Sequence, residues 1–403
     1  MKLLVCLVLL FSTLAVSSPP PPHSYRVAVS GGVILEPQGL LVTSQQLGVS
    51  PTTGQIVEGG AGAEVTQAMN NLQSVFSSAG LSLASSATSC WLYLLNVDSD
   101  FDAASAAYKA FFPLAPHPCR SPPGVALSHP NATASVECHG SRAPRRAVSP
   151  PAFFATDFNA QGMLLPDDEA LYTSGQIGFD PVSETLVPGG LMVEAAQVMS
   201  NLDVVFAAAF VGGSLKSHAS ECQVLVLTPV SNLAAVKSYL ASYFGESAPA
   251  LSVTVGDPGA GASIEVACLG FSPSRTSTPL FLAGSASASG VLVSGGSSPT
   301  ALVYSSLSFG LVSSPASFRS EALSAAEVVA AVFSLAFPPL SVHSLRDSAV
   351  GCSVVVSDAA FAAAANEALD EVLGGAKVLP ARSTVVAGLP DGKRVAVRCW
   401  GAR

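Results

Sequence analysis

Charge is what this chain of 403 residues has least of: Asp, Glu, Lys and Arg together make up 11% of it, and the formal balance is −9. That excludes a binder that tracks nucleic-acid phosphates, which needs a basic stripe. The single basic cluster, Arg142, Arg145 and Arg146, falls in a Pro/Ser-rich stretch. Cys-x-x-Cys is missing, and the six histidines show no ligand spacing, so no metal site is expected. Also missing are a G-x-S-x-G elbow, a P-loop and a complete G-x-G-x-x-G with its acidic partner. Gly60–Gly62 and Gly259–Gly261 read as flexible turns rather than phosphate cradles. No carboxylate pair stands out for glycosidic chemistry.

Long apolar runs are lacking after the N-terminus. Lys2 is followed by a nearly all-apolar Leu3–Val16, then Ser17-Ser18 and four prolines. This reads as a secretory signal peptide over residues 1–17, with Ala15 and Ser17 suited to the cleavage site. The run is too short for the ~20 residues that span a bilayer. The expectation is a secreted chain with no membrane association after leader removal. The rival is an uncleaved anchor or the front of a bipartite organelle leader. Asn131-Ala132-Thr133 is a glycosylation sequon that agrees with secretion.

What is present is a repeat. Ser50-Pro51 to Gly59-Gly60 recurs as Asp180-Pro181 to Gly189-Gly190. Glu64, Gln67, Asn71, Leu72, Val75 and Phe76 recur as Glu194, Gln197, Asn201, Leu202, Val205 and Phe206, 130 residues on. In the second copy, Leu171–Ile177 reads as a strand and Met192–Ala209 as a helix with one apolar face. A repeat of that length is a domain rather than a solenoid unit, and the chain has room for three.

The spacing predicts strands over Gly39–Leu47, Cys90–Leu95 and Ala132–His139 in the first unit, with helices over Glu64–Ala79 and Phe101–Phe112. The second repeats that order through Cys222–Thr228, Asn232–Phe244 and Ile264–Leu269. In the third, Leu302–Ser306, Ser324–Ala336, Cys352–Asp358, Phe361–Leu373 and Val395–Trp400 take the same places. The domains are thus 25–140, 152–270 and 280–403, joined by Pro/Ser-rich linkers 141–151 and 271–279, with the third degenerate in its front half. Right-handed crossovers set both helices on one face of a mixed sheet. The bare faces then need cover, which three units provide by closing as a pseudo-threefold ring.

Six cysteines fall at matching places: Cys90 with Cys138, Cys222 with Cys268, and Cys352 with Cys399. They are either three internal disulfides or small buried thiols. Cys119 is left over, as a candidate free thiol, and Cys6 leaves with the leader. Arg120 and Arg382 occupy the same position late in their units, where the second unit has Leu251. A guanidinium there suits bidentate recognition of a small organic acid, or it is an ordinary surface arginine at a strand start.

Leu171-Tyr-Thr-Ser-Gly-Gln-Ile, Asp180-Pro181, Gln197 with Asn201-Leu202, Leu379-Pro-Ala-Arg-Ser-Thr-Val-Val and Gly388-Leu-Pro-Asp-Gly together resemble the RidA (YjgF) family. The mature chain looks like three tandem, diverged copies. The resemblance implies an α+β, chorismate-mutase-like fold for each copy. It also implies a monomer that forms, within one chain, the trimer of the family, with clefts between copies. Enzymatic members hydrolyse reactive enamine and imine acids to keto acids and ammonia without a cofactor. An arginine holds the substrate carboxylate, and a glutamate in the last strand assists the water.

Carried over, the catalytic candidates are Arg120, Arg382 and Glu265, and the substrate-binding candidates are Ser174, Gly175, Gln176 and Thr384. Ser135 and Ala396 stand at the glutamate position elsewhere, and Glu137 is a possible substitute two residues along its strand. Thr43-Ser44-Gln45-Gln46 stands where Ser-Gly-Gln belongs in the first copy. No copy holds arginine, glutamate and Ser-Gly-Gln together. The readings are therefore an imine deaminase acting on a carboxylate-bearing imine, or a non-catalytic small-acid-binding or structural protein on the same scaffold.

Overall fold

The computed structural model describes residues 25–29, 31–36, 38–151, 153, 159–165, 169–229, 231–280, 290–295, 301–309, 317–337, 344–374, 376, 378–389 and 393–402. The expected leader, with Cys6, lies outside them.

Three large mixed sheets share one strand order. In the first, Gly32–Glu36, Leu40–Thr43, Ala134–Ser141, Ala87–Leu94 and Cys119–Ser121 lie side by side, with Tyr25–Val29 at the edge. The second runs Arg146–Val148, Gly162–Leu165, Ala170–Thr173, Ile264–Phe271, Ala219–Val226 and Ala250–Val255. The third runs Arg275–Leu280, Gly290–Gly295, Leu302–Ser305, Val395–Ala402, Ala349–Val356 and Ala381–Val386. The last two strands of each are parallel and are joined by the helices Val97–Lys109, Asn232–Phe244 and Ala362–Val372, the crossover that a parallel pair requires.

The long helices Gly60–Ser78, Leu191–Ala209 and Phe318–Ala336 pack on the same sheet face as the crossover helices. The apolar stripe read from sequence is what they bury: Met69, Leu72 and Phe76 in the first, and Met199, Leu202 and Phe206 in the second. Phe318–Ala336 begins ahead of the expected Ser324 because Ser317 and Ser320 form a capping box. Leu191–Ala209 is, by length and composition alone, apolar enough to cross a membrane, which the sequence reading had not marked. Here its apolar face forms part of the second core.

The repeated polar residues are clamps. Asn71 donates to the Leu47 and Val49 carbonyls at 3.2 and 3.1 Å, and Asn201 to those of Ile177 and Phe179 at 3.4 and 2.9 Å. Glu64 accepts from the Thr133 N–H and hydroxyl at 2.8 and 2.6 Å, and Glu194 from those of Ser263 at 2.7 Å each. Glu321 does the same with the Arg394 N–H and guanidinium, at 2.8 and 2.9 Å. Gly48 and Gly178 let the chain pass that helix closely: a Cβ on either would lie 2.6–2.9 Å from Glu64 or Glu194.

Each pair of cysteines stands directly opposite across neighbouring antiparallel strands. Cα atoms are 4.1–4.2 Å apart, and Cys90–Cys138, Cys222–Cys268 and Cys352–Cys399 are disulfides. Cys119 is a buried free thiol.

Two expectations need correction. Stretches 141–151 and 271–279 are not simple linkers, because Arg146–Val148 and Arg275–Leu280 each pair onto the following sheet. Both lie at sheet edges, where Pro279 sacrifices no interior ladder bond.

The faces opposite the helices meet one another. Leu35, Leu40 and Val42 of the first sheet, Leu165, Leu269 and Phe271 of the second, and Val291, Val293 and Tyr304 of the third form one apolar cluster. A polar network lies nearby: Arg398 pairs with Glu221 and the Tyr93 hydroxyl donates to Glu137 at 2.7 Å. Burial raises the Glu137 carboxyl to about 7, opposed by the Tyr93 bond and the Arg398 charge. Burial, with the Arg398 charge, lowers His139 to about 4.

Candidate functional site

The strand Cys119–Ser121 carries Arg120 to a junction with the second sheet. Its backbone N–H donates to the Ser174 hydroxyl at 3.0 Å, and its carbonyl accepts from the Gly175 N–H at 3.1 Å. Ser174 is fixed in turn by Asn159 Nδ2 at 3.0 Å and the Ala160 carbonyl at 2.5 Å. Gln176 donates to Gln161 at 2.8 Å. The Arg120 guanidinium lies over the Phe101 and Tyr108 rings, 5.2 and 5.7 Å from their centroids, and donates to Ser105 at 2.9 Å. Residues 101, 105 and 108 share one face of the crossover helix, so that helix forms a bed for the cation. Burial lowers the Arg120 pKa, opposed by Tyr108 and Glu265; a guanidinium keeps its charge at neutral pH regardless.

Glu265 comes from the central strand of the second sheet, paired opposite Ile177. It is 3% exposed; the Ser121 hydroxyl lies close by, but among the described residues neither carboxylate oxygen has a partner at full hydrogen-bond geometry. Burial raises its carboxyl to about 7; the Ser121 hydroxyl and Arg120 pull the other way. The Gly175 position is dictated by this carboxylate: a Cβ there would sit 1.6 Å from Glu265 Oε1.

Arg120, Gly175, Gln176 and Glu265 line a cavity of about 440 Å³, walled by Phe101 and Pro122 on one side and Ile177 and Phe179 on the other. Five of the residues singled out in sequence thus meet, Ser174 from behind through the Arg120 backbone. One cation that grips a carboxylate stands beside one carboxyl group poised to hold or release a proton near neutrality.

Arg382 and Thr384 are elsewhere. The Arg382 backbone clips onto Ser44 and Gln45 in the same manner, at 3.0 and 2.9 Å. Its guanidinium pairs with Asp370. Gln45 stands where Gly175 does, and its amide bridges the Thr384 N–H at 3.1 Å and the Ser135 hydroxyl at 2.8 Å. The side chain therefore fills that junction. At the remaining junction Leu251 meets Ser306 and Leu307. Glu137 does not substitute for the missing glutamate, since it is engaged by Tyr93 among the three sheets.

Cys119, next to Arg120, is buried, and burial raises its thiol to about 12; a thiol protonated at neutral pH is a poor nucleophile. Asn131 is exposed in a turn. Among the described residues no group of three or more His, Cys, Asp or Glu could hold a metal. Sequence reading did not find Asn159, Gln161 or the Phe101–Ser105–Tyr108 bed. Only the last left a signal, its helical spacing.

The model of the "Endoribonuclease L-PSP" family matches residues 18–140. The 2-iminobutanoate/2-iminopropanoate deaminase of Capra hircus is 37% identical over 83 residues, which is 21% of this chain and 58% of that protein. The chain thus spans less than two thirds of that deaminase. Protein DfrA of Myxococcus xanthus is 30% identical over 112 residues, 28% of this chain and 76% of that one. Among solved structures, yeast Mmf1 is 24% identical, covering 32% of this chain and 99% of its own, with a TM-score of 0.28. RidA from the Antarctic bacterium Psychrobacter sp. PAMC 21119 is 25% identical, covering 31% and 99%, with a TM-score of 0.28.

Proposed function

Because the chain belongs to the endoribonuclease L-PSP family through residues 18–140, we propose that it is a 2-imino acid deaminase with one working cleft, between the first and second sheets. The observation that carries this is that Arg120 and a buried Glu265 line one cavity. Arg120 holds the substrate carboxylate. Glu265 takes a proton from a water as its oxygen bonds to the imine carbon, and the C=N electron pair moves to nitrogen. The proton is returned to that nitrogen, and the carbinolamine collapses to a keto acid and ammonia. The walls keep bulk water from the charged pair and so strengthen both interactions.

On this reading the three sheets are three copies of one domain closed into an intramolecular pseudo-trimer. The shared apolar cluster supports that, as does the common strand order. Passage through an oxidising compartment is part of the same proposal, supported by three disulfides.

The test is hydrolysis of 2-iminopropanoate by the purified chain. Arg120→Ala is expected to lower kcat/KM by roughly 10–100-fold, the worth of lost bonds to a charged group, while Arg382→Ala leaves it unchanged. No rate above the uncatalysed reaction overturns the deaminase. Keto-acid binding that persists without turnover, and is lost in Arg120→Ala, favours a small-acid-binding protein.

A further inference from the structure

The cleft is much larger than a three-carbon imino acid needs. Allowing ~30 Å³ per heavy atom, the share of a water molecule, 2-iminopropanoate takes roughly 180 Å³ of the 440 Å³ available. Much of what surrounds the remainder is apolar, with Asn159, Gln161 and Asn201 among it: Val97 and Phe101 come from the first crossover helix, Ile177 and Phe179 from the second sheet's opening stretch, with Pro122 and Pro258. Ile177, Phe179 and Phe101 are only half-buried. Their remaining exposed apolar surface therefore favours covering by an apolar ligand group. Asp98 and Asp102 also line the cavity, so a ligand with a second carboxylate meets like charge.

We propose that the substrate of this cleft is a 2-imino acid with a bulky apolar side chain, aromatic or branched, and that short and acidic imino acids are poor substrates. This rests on the deaminase reading of the same site. The carboxylate meets Arg120, the imine carbon faces Glu265, and the side chain extends along Ile177 and Phe179. An aromatic imino acid of twelve heavy atoms takes roughly 360 Å³ on the same allowance, which is within the 440 Å³ of the cavity.

The experiment generates imino acids in situ with an amino-acid oxidase from alanine, leucine, phenylalanine and glutamate. It reads enzymatic acceleration over the uncatalysed hydrolysis of each. Acceleration is expected to be at least tenfold greater for the phenylalanine product than for the alanine product, and least for the glutamate product. In Phe179→Ala, which removes apolar wall two residues beyond the one paired with Glu265, the phenylalanine-to-alanine ratio is expected to fall at least tenfold. Calorimetric titration of the wild-type chain with phenylpyruvate and with pyruvate gives a readout that needs neither turnover nor a variant. Phenylpyruvate is expected to bind at least tenfold more tightly. Greatest acceleration on the alanine product, or equal affinity for the two keto acids, overturns the inference and leaves the deaminase standing. Tight phenylpyruvate binding with no hydrolysis of any imine sinks the deaminase and keeps the ligand class. Neither binding nor hydrolysis overturns both.

Discussion

Gly175 and Gln45 stand at matching places in the second and first sheets and lead to opposite outcomes. Gly175 leaves room for a carboxylate; Gln45 fills the room itself. Gly175→Ala is expected to displace Glu265 and lower kcat/KM by at least tenfold, with the fold retained, as steady-state kinetics and circular dichroism would register. Glu265 also sets the pH behaviour. Its raised carboxyl favours the proton in the folded state, so the stabilisation is complete below about 4.5 and is lost as pH climbs to about 7. The thermal midpoint is therefore expected to fall over that interval, and Glu265→Gln to remove this share of the fall. If the carboxylate form accepts the first proton, activity rises through pH ~7 and the rise disappears in the same variant. Arg120, Glu265 and Ser174 to Gln176 were legible as residues. Their partnership was not, because Arg120 and Glu265 belong to different sheets, far apart in sequence. Gln45 was visible too, but its closing of the Arg382 junction depends on a side-chain direction that spacing does not encode.

Elements explain why the repeat survives in some positions and not in others. Glu64, Glu194 and Glu321 each tie a long helix to the start of its sheet's central strand, and nothing about the clefts requires them. Glu194→Ala is expected to cost about 3 kcal/mol, the upper range for bonds to a charged group, read as a lowered thermal midpoint with kcat little changed. The disulfides belong here as well. They close loops with separations of 46 to 48 residues, worth about 4 kcal/mol each in the chain-entropy model. Their cysteines were legible as pairs, but the choice between thiols and bonds awaited the strand register. Edge strands were the least legible elements. Arg146–Val148 and Arg275–Leu280 are polar and proline-flanked, a composition shared by edge strands and linkers.

For the molecule as a whole, the interior matters most where the sheets face each other. Arg398, Glu221 and Glu137 come from three different sheets; Arg398 and Glu137 hold the same place, just before the second disulfide cysteine of a central strand, whereas Glu221 precedes the first cysteine on the neighbouring strand. A buried cation shared by two acids adds little net stability, but removing it strands both partners. Arg398→Met is expected to destabilise by about 3–5 kcal/mol near neutral pH. The loss is expected to shrink in acid, where Glu137 takes up its proton from about 7 downward.

One small strand, Ala126–Leu127, leaves the first segment of the chain and pairs with Val385–Val386 at the edge of the third sheet. Arg26 likewise reaches the carbonyls of Arg346, at 2.7 Å, and Val378, at 3.0 Å. The first and third sheets are thereby joined by hydrogen bonds, independently of the covalent path between them. A cut between Arg145 and Arg146 would divide the chain without dividing the protein. The two fragments are expected to run as one species on a native column and to separate only in denaturant.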